Sequence, residues 1–289
     1  MALKGKLPEP TEKRMKALFY GVAGVGKTTA AIQFPRPYLI DTERGATNDQ
    51  YVEMLRAKGG AYMFTTDADE LIAEVTALLS EKHEYRTLII DPLTVIYNDI
   101  VDASAEKHGT EFGRHKIEPD RKIKHLIKLL TRLDMNVVIT SHAKGKWVRS
   151  KDAKGKEVAV QEGNTFDCYG RLDYMFDLVF EIEKRGKERV GVVRKTRVKG
   201  FPEGEIFPFS YDEIATRYGR EILERDAVAV PLATPEQVAQ LEAILADRKN
   251  GEDMREAACK KADVERLDEL TQEQAAKWLA VLTKGTVAA

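Results

Sequence analysis

Gly21-Val22-Ala23-Gly24-Val25-Gly26-Lys27-Thr28 stands directly behind the apolar run Ala17-Leu18-Phe19-Tyr20. It fits the G-x-x-x-x-G-K-[ST] phosphate loop at every fixed position, with the strand that the motif requires ahead of it. Glycines let the backbone curl so that successive N–H groups turn inward toward phosphate oxygens, above the start of a helix. In this pattern Lys27 reaches the β- and γ-phosphates, and the Thr28 hydroxyl sits on a magnesium ion. The stretch, extended by Thr29, predicts a nucleoside-triphosphate site at a strand-to-helix turn.

Outward from the loop, short apolar runs alternate with helical patterns, the signature of βα units around a mainly parallel sheet. Expected strands are 17–20, 37–41, 61–64, 87–91, 136–141, 178–182 and 190–195, and expected helices are 27–34, 68–81, 93–107 and 119–133. The strands carry few internal charges, as they do when helices cover both faces. A site of this kind also needs an acidic residue ending a nearby apolar strand. Leu88-Ile89-Ile90-Asp91 supplies Asp91 as the candidate metal ligand. Hydrolysis further needs a carboxylate that orients water. Many ATPases place that glutamate right after the strand-ending aspartate, but Pro92 stands there, which turns attention to Ile40-Asp41-Thr42-Glu43-Arg44. Glu43 would project at the carboxyl edge of the sheet, where ligands of open α/β folds bind. Ser141-His142 ends another strand at that edge. His142 is placed either to hydrogen-bond a terminal phosphate or to be a satisfied loop residue.

The chain has 289 residues, 43% hydrophobic and 32% charged, a globular balance. Its formal charge of −1 excludes a globally basic nucleic-acid binder, so any such surface is a local patch. Cys168 and Cys259 lie far apart without a C-x-x-C pattern, which points to a reducing compartment and no disulfide framework. The five histidines lack metal-ligand spacing, which argues against zinc. Met1–Pro8 has no apolar core of a signal segment, and no long apolar run occurs, so a cytoplasmic chain with no membrane partner is expected.

Three segments are expected: an N-terminal tail at 1–13, an ATPase core at 14–230 and a small helical module at 231–289. Thr234-Pro235-Glu236-Gln237 is a capping box with proline at the first helical position. Val238, Leu241, Ile244 and Leu245 follow as an apolar face, and Asn250-Gly251 is read as the stop. A second box at Thr271 opens a helix carrying Trp278, Leu279 and Leu282. The module is open to DNA, to a single-strand-binding or other replication protein, or simply to packing on the core.

The order of phosphate loop, Asp-x-Glu strand end, Asp91-terminated strand without a following glutamate, and polar strand end resembles the RecA-like recombinase ATPase core. Val192-Val193-Arg194-Lys195-Thr196-Arg197 resembles the late strand of that class, whose basic residues reach a neighbouring subunit's γ-phosphate. The Asp41-Thr42-Glu43 and Thr140-Ser141-His142-Ala143-Lys144 strings are most similar to the phage-encoded RecA-like single-strand annealing proteins of the Sak group, which are AAA-type phage nucleotide-binding proteins. The resemblance covers residues 14–215. It implies ATP and Mg²⁺ as cofactors, with Lys27 and Thr28 on phosphate and metal, Asp91 supporting the metal and Glu43 positioning water. His142 takes the sensor place where RecA has glutamine. Lys195 and Arg197 become a pair acting on a neighbour in a homo-oligomeric ring or filament.

The resemblance also implies single-stranded DNA as partner, with annealing in homologous recombination, in the host cytoplasm. In that class the loop after the sensor strand binds DNA. Here Lys144, Lys146, Arg149, Lys151, Lys154 and Lys156 surround Trp147, six cations against two anions over 144–157. Cations would follow the phosphate backbone while the indole stacks on a base. The residues themselves equally describe a mobile basic hairpin, just as the 194–199 run equally describes a solvated edge strand. A reading from another class is an ATP-gated loader or switch that contacts a replication or helicase partner.

Overall fold

Leu18 and Tyr20 point to one face of the central sheet and Ala17 and Phe19 to the other, and all four are buried. This period-two alternation with both faces covered is what a strand sandwiched between helices requires. The computed structural model describes residues 12–151 and 155–284, together with Gly5 and Leu7. The strands are β1 (Lys16–Gly21), β2 (Pro37–Asp41), β3 (Ala61–Phe64), β4 (Thr87–Asp91), β5 (Asn136–Lys151), β6 (Glu157–Phe166), β7 (Leu178–Arg185), β8 (Glu188–Thr196) and β9 (Ile206–Pro208). The helices are α1 (Lys27–Ile32), α2 (Asp49–Ala57), α3 (Ala68–Ser80), α4 (Leu93–His108), α5 (Ile117–Arg132), α6 (Leu172–Met175), α7 (Tyr211–Tyr218), α8 (Arg220–Glu224), α9 (Pro235–Ala246), α10 (Gly251–Ala262) and α11 (Gln272–Lys284).

The sheet runs β3-β2-β4-β5-β1-β7-β8-β9, with β6 paired to β5 outside that path. From β3 to β7 every pairing is parallel, whereas β6, β8 and β9 join antiparallel. The phosphate-loop strand therefore lies mid-sheet, and the carboxyl ends of β1, β2, β4 and β5 open on one edge. On one face Leu18, Ile90 and Ile139 meet α3 and α5 through Leu71, Val75, Ile123 and Ile127. On the other, Phe19, Val138 and Phe180 meet α1 and α7 through Ala31, Ile32 and Ile214. Each fully buried side chain of this kind contributes about 1.5–3 kcal/mol. The result is the mixed α/β architecture with a mostly parallel central sheet and helices at the C-terminus that the patterning predicts.

Leu241, Leu245, Leu270, Ala275 and Leu282 form a third, separate core among α9, α10 and α11. The Thr234 capping box forms as read, with Gln237 reciprocating. Asn250-Gly251, expected to stop a helix, instead opens α10: Gly251 packs against the Leu245 carbonyl, where a Cβ would collide, and Glu252 and Asp253 favour the first turn. Helix α2 has no counterpart among the expected helices; it fully buries only Leu55, with Tyr51 and Met54 packed half-buried on the same face. Strand β5 runs ten residues past its expected end at 141, since the basic segment pairs with β6 as a long ribbon. Strand β9 covers β8 along Val190–Val192, short of the 194–199 run. Among the described residues no helix is long and apolar enough to cross a membrane.

Candidate active site

The loop between β1 and α1 takes its shape from two glycines in the left-handed region, Gly24 at φ 77° and Gly26 at φ 89°. Gly21 is needed for another reason: a Cβ there would strike the Ile182 carbonyl oxygen of β7. Ala23, Gly24, Gly26, Lys27, Thr28 and Thr29 line a cavity of 360 Å³. Gly21 and Val22 serve through their carbonyls, which accept from Lys27 Nζ at 2.9 and 3.2 Å. Val25 packs into the core beneath α1. Burial pulls the Lys27 ammonium below its ordinary pKa, and the nearby Asp91 and Glu43 carboxylates oppose that fall.

Asp91 is buried at the floor of the same cavity. Burial pushes its carboxyl above the ordinary range, against hydrogen bonds from the Thr140 and Thr28 hydroxyls and the charge of Lys27. The Thr28 hydroxyl and the Asp91 carboxylate are hard oxygen donors side by side. That set fits Mg²⁺, which takes few protein ligands and fills its shell with water and phosphate oxygens. A magnesium ion held by these two residues would supply charge neutralisation on the transferring phosphoryl group.

Asp41, ending β2 beside Asp91, shapes the loop that carries Glu43. Its two carboxylate oxygens accept the backbone N–H groups of Glu43 at 2.9 Å and Ala46 at 2.8 Å. Glu43 consequently leans into the cavity and meets His142 Nε2 at 2.9 Å. His142 is held in turn by its own backbone, whose N–H donates to Thr94 Oγ1 at 2.9 Å. A carboxylate, an imidazole, an ammonium and a buried carboxylate thus converge over the phosphate loop from β2, β5, α1 and β4.

Residues 13–201, well over half of the chain, match the family model described as an AAA domain. The chain belongs to the AAA-domain family. It is therefore a P-loop nucleotide-hydrolysing protein at the level the family defines. Among solved structures it is similar to the assembled ATPase EscN from the type III secretion system of enteropathogenic E. coli, at a TM-score of 0.40 and 12% identity, over 93% of this chain and 67% of that one. No curated protein matches it.

Not every residue singled out in the sequence joins the AAA site. Lys195 and Arg197 lie toward the opposite edge of the sheet, because Lys195 pairs with Val179 near the start of β7. Both are engaged within their own chain. Lys195 Nζ donates to the carbonyls of Asp173 and Phe176, and Arg197 holds the Tyr174 carbonyl at 2.9 Å and Asp177 at 3.3 Å. The expected alternation does bring them to one segment, but that segment is 173–177 around α6. Arg194, the extra residue of a β-bulge opposite Val179 and Phe180, turns instead onto buried Glu181 at 2.6 Å.

The basic ribbon is also more balanced than its sequence suggests. Strand β6 and its exit bring Glu162 to Lys146 at 2.8 Å and Asp167 to Lys144 at 2.9 Å, while Glu157 stands 3.9 Å from Arg149. Trp147 is 65% exposed and Lys151 is exposed; Lys156 stands at the foot of β6, and Lys154 lies outside the described residues. Three cavity residues carry no signal in the sequence. Gln50 and Tyr51 arrive on α2, and Arg189 arrives from β8, reaching across β7 to the phosphate loop. Only tertiary pairing of β7 with β8 reveals the last of these.

Proposed function

We propose that this AAA-domain protein binds and hydrolyses ATP with Mg²⁺ under the control of single-stranded DNA, and supports annealing in homologous recombination as a RecA-like, phage-type protein of the host cytoplasm. One observation carries this reading. Strand β5 runs without a break from His142, in contact with Glu43, into the ribbon that bears Lys144, Lys146, Trp147, Arg149 and Lys151. A shift of His142 on loss of a terminal phosphate would be felt directly along that strand. The exposed indole offers a sequence-independent stacking face, worth about 1–3 kcal/mol per base, and the flanking cations follow the phosphates.

In this reading Lys27 grips the terminal phosphates, Thr28 and Asp91 hold the metal, and Glu43 orients the attacking water. The His142 contact orients the Glu43 carboxylate and transmits its state. A ring or filament of copies would complete the mouth of the loop. For Lys195 and Arg197 to act on a neighbour's γ-phosphate, they would have to exchange their present carbonyl partners for it.

The deciding experiment measures ATP hydrolysis with and without single-stranded DNA, alongside sizing with a non-hydrolysable nucleotide. Stimulation together with assembly is the expected result; the absence of both would overturn the reading. DNA binding that survives neutralising the 144–156 cations, with the α9–α11 module capturing a replication protein, would favour the loader alternative.

A further inference from the structure

Positions 189, 191 and 193 of β8 share the face of the sheet that α1 covers, and Val193 belongs to the core there. The first of these is an arginine. Its backbone carbonyl is pinned by the Phe209 N–H at 2.9 Å, and Lys184 of β7 pairs with it on the other side. From this fixed base the side chain crosses to the phosphate loop, where Nε donates to the Val25 carbonyl at 2.8 Å. The guanidinium lies where a Cβ on Gly26 would stand, 2.7 Å from Nε, while the positive φ is what calls for glycine there.

Among the described residues no carboxylate lies within ion-pair distance of Arg189, although it is half-buried. A guanidinium carries five donors and stays charged, so one neutral carbonyl leaves most of its capacity unused. Half-buried, unpaired charge is costly unless a counter-charge arrives. The cavity it faces is the triphosphate cavity, which Arg189 lines together with Gly26, Lys27 and Thr28. The strand order places it on the β7–β8 side of β1, whereas Asp91, Glu43 and His142 come from the β5–β4–β2 side. The two groups therefore face each other across the loop.

We propose that Arg189 is a nucleotide-binding residue supplied by the same chain, its guanidinium taking the α- and β-phosphate oxygens from the side opposite the hydrolytic carboxylate. A planar fork matches phosphate oxygens two at a time, which an ammonium cannot do. Because it acts away from Glu43, Arg189 serves ADP as well as ATP, and its loss falls on affinity rather than on turnover.

Titration of the full chain with MgATP and MgADP tests this, with wild type and Lys27→Ala reporting whether the site takes nucleotide at all. Arg189→Ala is expected to weaken both nucleotides about 10- to 100-fold, the range for hydrogen bonds to charged groups. KM for ATP should rise with little change in kcat, and Arg189→Lys should recover only part of the affinity. The melting temperature without nucleotide should change little, because loss of the hydrogen bond to the Val25 carbonyl is offset by removal of the unpaired charge. Wild-type ADP affinity in Arg189→Ala would overturn the assignment. So would a lowered melting temperature that Arg189→Lys fully restores along with affinity, since that marks a brace for the loop.

Discussion

In the proposed mechanism, Glu43 is the residue on which the chemistry of this site turns. Its carboxylate is half-exposed, aimed into the phosphate-loop cavity by the two N–H groups that Asp41 accepts, and fastened to His142. Glu43→Gln keeps the shape and the hydrogen-bonding reach while removing the base. We expect it to bind MgATP as the wild type does and to lose about 10²–10⁴-fold in turnover, the usual contribution of a general base; single-turnover hydrolysis against nucleotide binding checks this. His142→Ala should lower turnover less and blunt any DNA stimulation, because it leaves the carboxylate present but unanchored. Much of this was legible from one residue, Pro92, which removes the more familiar location for the glutamate. Arg189 was not legible, because nothing in a β-hairpin of alternating residues tells which cation reaches a loop that precedes it by some 160 positions in sequence, Val25 to Arg189.

At the scale of elements, β5 matters most, being both a central strand and one arm of a projecting ribbon. Its first half is mostly buried and its second half mostly exposed, so a single strand joins the nucleotide edge to the surface. Trp147→Ala should weaken single-stranded DNA binding by about 1–3 kcal/mol with the salt dependence unchanged. Neutralising Lys144 and Lys146 together should instead flatten the salt dependence, by about 0.7 in logarithmic slope for each phosphate that is no longer neutralised. Fluorescence titration over a salt series separates the two; equal slopes in every variant would remove the cations from the interface. The alternation of apolar residues announced the strand up to Ser141. Beyond it, charge concealed the element, because an exposed ribbon has no apolar face to advertise it, and the anions Glu162 and Asp167 come beside Lys146 and Lys144 only when β6 folds back.

For the whole molecule, the α9–α11 module is tied to the ATPase core through α5. His125 Nε2 meets Glu269 at 2.5 Å with both side chains largely buried, Arg132 donates to the Glu269 carbonyl at 2.7 Å, and Lys128 reaches Glu265 at 2.7 Å. Burial alone would raise the Glu269 carboxyl, but the His125 hydrogen bond, the Glu265 N–H and nearby cations hold it below its ordinary value. A carboxylate whose folded pKa is depressed contributes stability that is present above its unfolded pKa and lost as pH falls through the folded one. The docked arrangement should therefore loosen in acid below about pH 4.3, the unfolded glutamate value, as limited proteolysis of the 225–233 connection reports. His125→Ala removes one hydrogen-bond partner of the buried Glu269 carboxylate and should cost about 1–3 kcal/mol, with the same segment becoming more cleavable at neutral pH. Uncut protein under both conditions would show that the His125–Glu269 contact does not hold the module in place. The sequence by itself determined the phosphate loop, the strand-ending Asp91 and the order of βα units, because each is a local pattern imposed by turn geometry or by two-sided burial. Only the tertiary structure decided that Glu43 meets His142, that Lys195 and Arg197 hydrogen-bond to the 173–177 segment, and that Arg189 stands beside the phosphate loop. Those contacts depend on strand order and on which side chains share a face across long stretches of sequence, and no local pattern records either.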